Sequence, residues 1–267
     1  MNKETIPILG NKHYNEDTVF LPENLLREAR RQKNKKEQNI PAICLFDPDG
    51  DLADYLVREG KAVKSEYWAC YHSSLYEFQV DNYEIGILPC VVGSSYAVLV
   101  AEQLFVSGCR LLISITSAGI INPPATGKKF ALITSSVRDE GTSYHYLPAD
   151  KASTLNEKLF KHIEHKLTSL DCPFFPATSW TTDAPFRETA SSIDAMKKQN
   201  VACVEMEAAA LYAVAEVKKL DIICFAHLTN SMAQTEGDFE KGEESGSTAS
   251  LNLISYLLDA LSSKKYL

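Results

Sequence analysis

From Pro41 onward the sequence alternates short apolar, β-rich runs with stretches of helical spacing, and this alternation limits what the chain can fold into. Strand-like runs fall at 42–46, 111–115, 130–134, 174–179, 201–204 and 222–228. Helical runs fall at 52–59, 95–106, 152–170, 193–198, 207–219 and 250–261. In the 152–170 run, Leu155, Leu159, Ile163 and Leu167 recur on one face. Gly108 follows the 95–106 run as a C-terminal stop. Strands alternating with helices predict an α/β fold, here a single three-layer αβα domain with a mixed, largely parallel central sheet. The sheet is mixed because 75–80 and 83–88 read as a hairpin about the tight turn Asp81-Asn82.

Before residue 41 the pattern is absent. Residues 1–40 read as a peripheral segment, with 41–267 as the domain. Pro22-Glu23-Asn24 opens a short helix through Leu25, Leu26 and Ala29. The basic run from Arg30 to Lys36 reads as a solvated face, or as a contact with an acidic partner or neighbouring subunit.

A chain of 267 residues is long enough to bury a full core. Its formal net charge of −8 argues against a nucleic-acid binder, which needs a basic face to neutralise phosphates. None of the seven cysteines forms a C-x-x-C pair, and Cys44, Cys203 and Cys224 lie in apolar runs. They read as reduced core residues of a cytoplasmic protein. The six histidines and the cysteines show no metal-ligand spacing, so no metal is expected. Residues 1–10 carry no apolar signal core, and no apolar stretch reaches the ~18 residues a membrane helix needs.

The chemistry should gather where strands end. The most pointed stretch is Val204-Glu205-Met206-Glu207-Ala208-Ala209-Ala210-Leu211, a strand running straight into an Ala-rich helix. One reading is a helix start with favourable acids and a core methionine. The other is a ligand site: a flexible apolar surface beside a carboxylate that accepts two hydroxyl hydrogen bonds suits a sugar ring.

Four more segments sit at strand ends. Thr116-Ser117-Ala118-Gly119 reads as a small-residue turn, with or without a ligand against its N–H groups. The run 138–146, with Arg138, Tyr144, His145 and Tyr146, reads as a pocket wall or a packed surface loop. In 180–189, Thr182 and Asp183 serve the turn, Phe186 offers an aromatic plane and Arg187 a donor. The alternative there is a core Phe and an Arg–Glu surface pair. Leu228-Thr229-Asn230-Ser231-Met232 closes the strand 222–228.

The 204–211 run resembles the ribose-binding signature of the nucleoside phosphorylase family, which includes uridine and purine nucleoside phosphorylases and related nucleosidases. The 138–146 and 181–189 runs are similar to that family as well, and the resemblance extends from about Ala42 to the C-terminus. It implies a nucleoside phosphorylase-like fold and an enzyme that cleaves an N-glycosidic bond, yielding free base and pentose 1-phosphate. By the resemblance Met206 packs on the sugar and Glu207 binds its 2′- and 3′-hydroxyls, while Glu205 contacts substrate or supports the loop. Phe186 stacks on the base. Arg187, Thr182, Asp183, Gly93, Thr116, Ser117, Arg138 and His145 line the substrate. Asn230 stands closest to the acid of purine-cleaving relatives, with Ser231, Glu236 and Asp238 behind it. An amide donates a hydrogen bond to a leaving base but delivers no proton at neutral pH.

Two departures bear on the nucleophile. The family's Gly-Asp-Pro phosphate loop here reads Phe46-Asp47-Pro48-Asp49-Gly50, without the glycine or a following Arg, and Ser114 stands where a second Arg would lie. Phosphate prefers arginine, and Asp47 and Asp49 repel it. Arg138, Arg187 or an arginine of a second subunit would have to restore an anion site. The alternatives to a phosphorylase are therefore a nucleoside hydrolase using water and a catalytically weak nucleoside-binding protein. The resemblance further implies no cofactor beyond phosphate as co-substrate, and a homo-oligomer built from dimers. The segments near His13 and Tyr144–Tyr146 are its candidate contacts.

Overall fold

The computed structural model describes residues 6–10, 12–124, 128–170, 172–231 and 236–261; Met1–Thr5 and Met232 fall outside them. Seven α-helices are present among the described residues: α1 (Pro22–Lys33), α2 (Asp51–Arg58), α3 (Ser94–Val106), α4 (Glu157–Ser169), α5 (Ala190–Lys198), α6 (Ala208–Lys218) and α7 (Ser247–Leu261). The strands are β1 (Ile43–Asp47), β2 (Ala62–Lys64), β3 (Tyr76–Val80), β4 (Tyr83–Pro89), β5 (Leu111–Ile120), β6 (Phe130–Asp139), β7 (Ser153–Thr154), β8 (Phe174–Thr182), β9 (Cys203–Glu205) and β10 (Ile222–Asn230).

The strands form one mixed sheet in the order β10-β6-β8-β9-β5-β1-β4-β3-β2, with β7 on β6. Because β10 also pairs with β5, the strands β5, β10, β6, β8 and β9 close on themselves, and β1, β4, β3 and β2 extend outward from β5. Parallel pairing holds β1–β4, β1–β5, β5–β10, β6–β8 and β8–β9; the other pairs are antiparallel. Helices pack on the sheet in two groups, α1 with α3 and α6, and α2 with α7 and α4. The core is apolar and continuous: Ile43, Leu45, Ile85, Ile87, Leu111, Ile113, Ile223 and Phe225 are all nearly inaccessible.

The hairpin reading holds: Val80 pairs with Tyr83, and Asp81 takes φ +54°, the left-handed conformation a two-residue turn needs. Closure of the ring explains where the strands outrun the sequence pattern. The segment 116–119 is no turn. It stays in β5, pairing with Ala226 through Asn230 of β10 and, at Gly119, with Val204 of β9. In the same way β6 runs on to Asp139, β8 to Thr182 and β10 to Asn230. Their polar ends remain strand because neighbours satisfy the backbone. The 152–170 helix begins later than its periodicity suggests. Asn156 caps it by accepting the N–H groups of Lys158 (3.0 Å) and Leu159 (3.1 Å), and Ser153–Thr154 pairs with β6 instead. Leu155 is buried but precedes the helix, while Leu159, Ile163 and Leu167 form its inner face.

Among the described residues, no helix is long and apolar enough to cross a membrane, and no cluster of three or more His, Cys, Asp or Glu is arranged to hold a metal ion. The basic run partly ties down its own neighbourhood. Lys33 donates to the carbonyls of Ala69 (3.0 Å) and Cys70 (2.6 Å), and Lys35 to that of Glu66 (2.6 Å).

Candidate active site

The strand β9 is only three residues long and runs antiparallel to β5. Its exit therefore carries Glu205, Met206 and Glu207 back beside β5 toward Thr116, rather than out past the edge of the sheet. The two carboxylates of this segment have different surroundings, although one residue separates them.

Glu205 is buried and surrounded by donors. Its Oε2 accepts the N–H groups of Glu207 and Ala208, each at 2.7 Å. Its Oε1 accepts the hydroxyl of Thr181 and lies 3.0 Å from that of Ser179. Thr181 Oγ1 in turn accepts the N–H of Ala209 (2.9 Å) and lies 2.6 Å from Ser136 Oγ. Glu205 thus caps α6 and fastens it to β8 and β6. This corrects its placement among the substrate contacts, because both of its oxygens face the chain's own donors. Burial pushes its pKa up, against the pull of those hydrogen bonds.

Glu207 is 2% exposed and occupies the N-cap position of α6, yet its side chain turns away from that helix. Oε1 accepts the N–H of Gly93 at 2.7 Å. Oε2 is buried without a hydrogen-bond partner among the described residues. Burial first, and the charge of Glu205 second, push its pKa up to about 8. The N–H groups of Gly93 and Met206 and the Thr116 side chain oppose that rise. Gly93 holds φ +88° just ahead of α3, and a Cβ there would meet open space. Ser94 donates to the Met206 carbonyl at 2.8 Å, locking the segment against α3. Met206 itself is half-buried. Glu207 is thus a buried carboxylate with one oxygen held and the other unpartnered among the described residues, next in sequence to a half-buried methionine.

The strand ends bring the remaining candidates near or leave them apart. Asn230 is buried, pairs in register with Gly119, and its Nδ2 donates to Thr229 Oγ1 at 3.1 Å. Gly119 in turn pairs with Val204, so Asn230 lies across β5 from the Glu205–Glu207 segment. Ser231 donates its N–H to Asp238 (2.9 Å). Thr182 is buried and accepts the N–H of Ala184 (3.2 Å). Asp183 accepts the N–H of Gly141 (2.8 Å), and Trp180 donates to Asp139 (3.0 Å), so the 138–146 and 180–187 loops lie side by side. Phe186 is fully exposed, which excludes the core reading and leaves its plane free; Arg187 is exposed beside it.

Two expectations fail on geometry. Arg138 Nε donates to Ser143 Oγ (2.8 Å), Nη1 to the carbonyls of Pro148 (2.6 Å) and Lys151 (2.8 Å), and Nη2 to that of Leu147 (2.9 Å). Its nitrogens hold Ser143 and the 147–151 loop, which sets Arg138 against the chain's own acceptors and not toward an anion. His145 is exposed, 3.0 Å from Lys12 Nζ, and faces a groove of about 1050 Å³ shared with His13, Phe20, Leu99 and Val217. It is directed to that groove, not to Glu207.

On the anion side, Asp47 closes β1 and its Oδ2 accepts the N–H of Ala53 (2.9 Å). Burial pushes its pKa up to about 7. Asp49 Oδ2 accepts both the N–H (3.1 Å) and the hydroxyl of Ser117, and lies 3.4 Å from Lys241 Nζ. Lys241 also pairs with Asp51 at 2.5 Å. Ser114 is buried and its hydroxyl has no partner among the described residues. His227 is buried with its ring stacked on Phe130, 4.6 Å between centroids, and burial pushes its pKa down to about 4. Lys241 and His227 were not found from sequence. One sits in a polar loop and the other inside an apolar run, so neither carried a local signal.

Residues 42–262 match the family model of the phosphorylase superfamily, and the chain belongs to that superfamily. It is 23% identical over 197 residues to a purine nucleoside phosphorylase of Plasmodium vivax, covering 72% of this chain and 78% of that one. It is 28% identical over 142 residues to an uncharacterized protein of Acanthamoeba polyphaga mimivirus, spanning 53% of this chain and about half, 55%, of the viral protein. Among solved structures, a uridine phosphorylase of Vibrio fischeri superposes with a TM-score of 0.70 at 16% identity, over 88% of this chain and 99% of that one. The last likeness establishes the fold.

Proposed function

We propose that this chain cleaves the N-glycosidic bond of a nucleoside, releasing the free base, at the site built around Glu207 and Met206. The observation that carries the reading is the buried Oε2 of Glu207, without a hydrogen-bond partner among the described residues while its other oxygen is held by Gly93, in a chain of the phosphorylase superfamily.

In this reading Glu207 gives up, as substrate binds, the proton that burial lets it keep near neutral pH, and accepts hydrogen bonds from the two adjacent ribose hydroxyls, while Met206 covers an apolar face of the ring. Cleavage passes through a sugar with cationic, oxocarbenium-like character. A carboxylate in a water-poor site stabilises that charge more strongly than in bulk solvent. Phe186 offers a plane for the base, and Asn230 supports its departure by hydrogen bonding. The Thr182–Asp183 turn positions the Phe186 loop. Relatives named for uridine and for purine nucleosides both resemble the chain, so the base is left open here. A homo-oligomer, with a dimer as the minimal unit, fits the groove that gathers His13, Phe20, Leu99 and His145. Light scattering at micromolar concentration should show at least a dimer; a fully active monomer would refute the assembly.

The test of the activity is incubation with a nucleoside panel, with and without phosphate, followed by chromatography. Free base must appear for at least one nucleoside. Binding without product on every member of the panel would overturn the enzymatic reading.

A further inference from the structure

We infer that Asp49 stands in this site in place of an inorganic oxyanion, so that the pentosyl group passes to water and not to phosphate. This deepens the N-glycosidic reading above and rests on it for the acceptor's role.

A backbone N–H, a hydroxyl and an ammonium converging on one point form a donor set for an anion. Here the N–H and hydroxyl of Ser117 and the Nζ of Lys241 all meet Asp49 Oδ2. The anion is already present, and it belongs to the chain. Lys241 is steadied by Asp51, so the carboxylate is latched from α2 and from the loop before α7 together. The space that remains between Asp47, Asp49, Thr116, Ser117, His227 and Gly246 is about 20 Å³. That volume matches one water molecule. The charge balance agrees: Asp47, Asp49 and Asp51 line this cavity, Lys241 pairs with two of them, and the arginine nearest in expectation, Arg138, is bound to carbonyls. Thr116 and Ser117 line this cavity from β5, and the same strand pairs at Gly119 with Val204, just ahead of the Glu205–Glu207 segment, which sets the water-sized space beside the sugar side.

The step balances as a hydrolysis. Water oxygen bonds to the anomeric carbon as the N-glycosidic bond breaks, and its electron pair leaves on the base nitrogen. One water proton passes to an Asp carboxylate of the cavity, the departing base takes one proton from solvent, and the Asp returns its proton to solvent, so that the net transfer is from water to base. The products are free pentose and free base.

The experiment uses the full chain and inorganic phosphate as the probe. Wild type should show no rise in Tm across millimolar phosphate. Its products should be free pentose carrying heavy oxygen from labelled water. Asp49→Ser removes the carboxylate while keeping Ser117 and Lys241. It should gain a phosphate-dependent rise in Tm of several degrees, because a ligand that binds only the folded state stabilises it. Adding Lys241→Met should abolish that gain. Pentose 1-phosphate from wild type, or a wild-type Tm that climbs with phosphate, would overturn the inference. So would a folded Asp49→Ser protein indifferent to phosphate. Should Asp49→Ser fail to fold, the wild-type phosphate titration and the labelled-water products still decide. The titration reads Asp49 alone, so it stands apart from any failure to find a nucleoside that is cleaved.

Discussion

The sugar side of the site and its anion side treat their carboxylates in opposite ways. At the sugar side Glu207 keeps a buried oxygen without a partner among the described residues, which costs stability and which a ligand's donor would satisfy. At the anion side Asp49 meets Ser117 and Lys241 and leaves them little to offer a ligand. Glu205 shows the same contrast within a single segment: two residues before an open carboxylate, it is surrounded by donors. Residue type therefore does not separate ligand-binding acids from structural ones here. The state of their hydrogen bonds does.

The sharpest way to break this contrast is to truncate the two neighbours. Glu205→Ala leaves two N–H groups at the α6 start and two hydroxyls of β8 without their acceptor. Each unpaired buried donor costs ~1–3 kcal/mol, so denaturant unfolding should show a loss of about 3 kcal/mol or more. Glu207→Gln should cost far less. Equal losses would mean that both acids are structural.

A second cut falls on Arg138. Arg138→Ala frees four acceptors in the 143–151 region, and a loss of ~2 kcal/mol with little change in kcat/KM is expected. If turnover collapsed while melting stayed constant, Arg138 would be a ligand contact after all.

A pH-dependent effect sharpens the assignment of Glu207. Its folded pKa, up at about 8 from 4.5, means the folded protein holds a proton that the unfolded chain has released. Stability should therefore fall as pH rises through that window. Glu207→Gln removes the loss: its Tm should match wild type near the low end and exceed it above about pH 8. For a chain of this size ~1 kcal/mol corresponds to about 2–4 °C. Parallel Tm curves would show that Glu207 is not the buried, unpaired acid described here.

Much of this architecture was legible in the sequence, because hydrophobic periodicity reports burial directly. The hairpin at Asp81-Asn82, the order of strands and helices, and the Glu205–Glu207 segment all carried local signals. The ring closure did not. It makes strand out of Thr116, Ser117, Arg138, Thr182 and Asn230, whose polar character reads as loop until a neighbouring strand supplies the backbone partners. For the same reason the sequence could not separate Glu205 from Glu207. Their difference lies in Ser179 and Thr181, some 25 residues upstream on β8, and in Gly93 ahead of α3. Arg138 and His145 were drawn toward the substrate by their place in a polar, aromatic run. Carbonyls of the 147–151 loop claim the first, and the outer groove holds the second. The latch of Lys241 on Asp49 joins residues nearly two hundred positions apart, beyond any local pattern.

The central claim is that the open oxygen of Glu207 is the sugar-binding group. Its most direct test is kcat/KM of Glu207→Gln on a nucleoside that the wild type cleaves, with melting measured in parallel. Losing a charged hydrogen bond to the sugar is worth ~1.5–3 kcal/mol, so a fall of about tenfold to more than a hundredfold is predicted, in a protein that melts no lower than wild type at neutral pH. Unchanged kcat/KM in the folded variant would contradict the account.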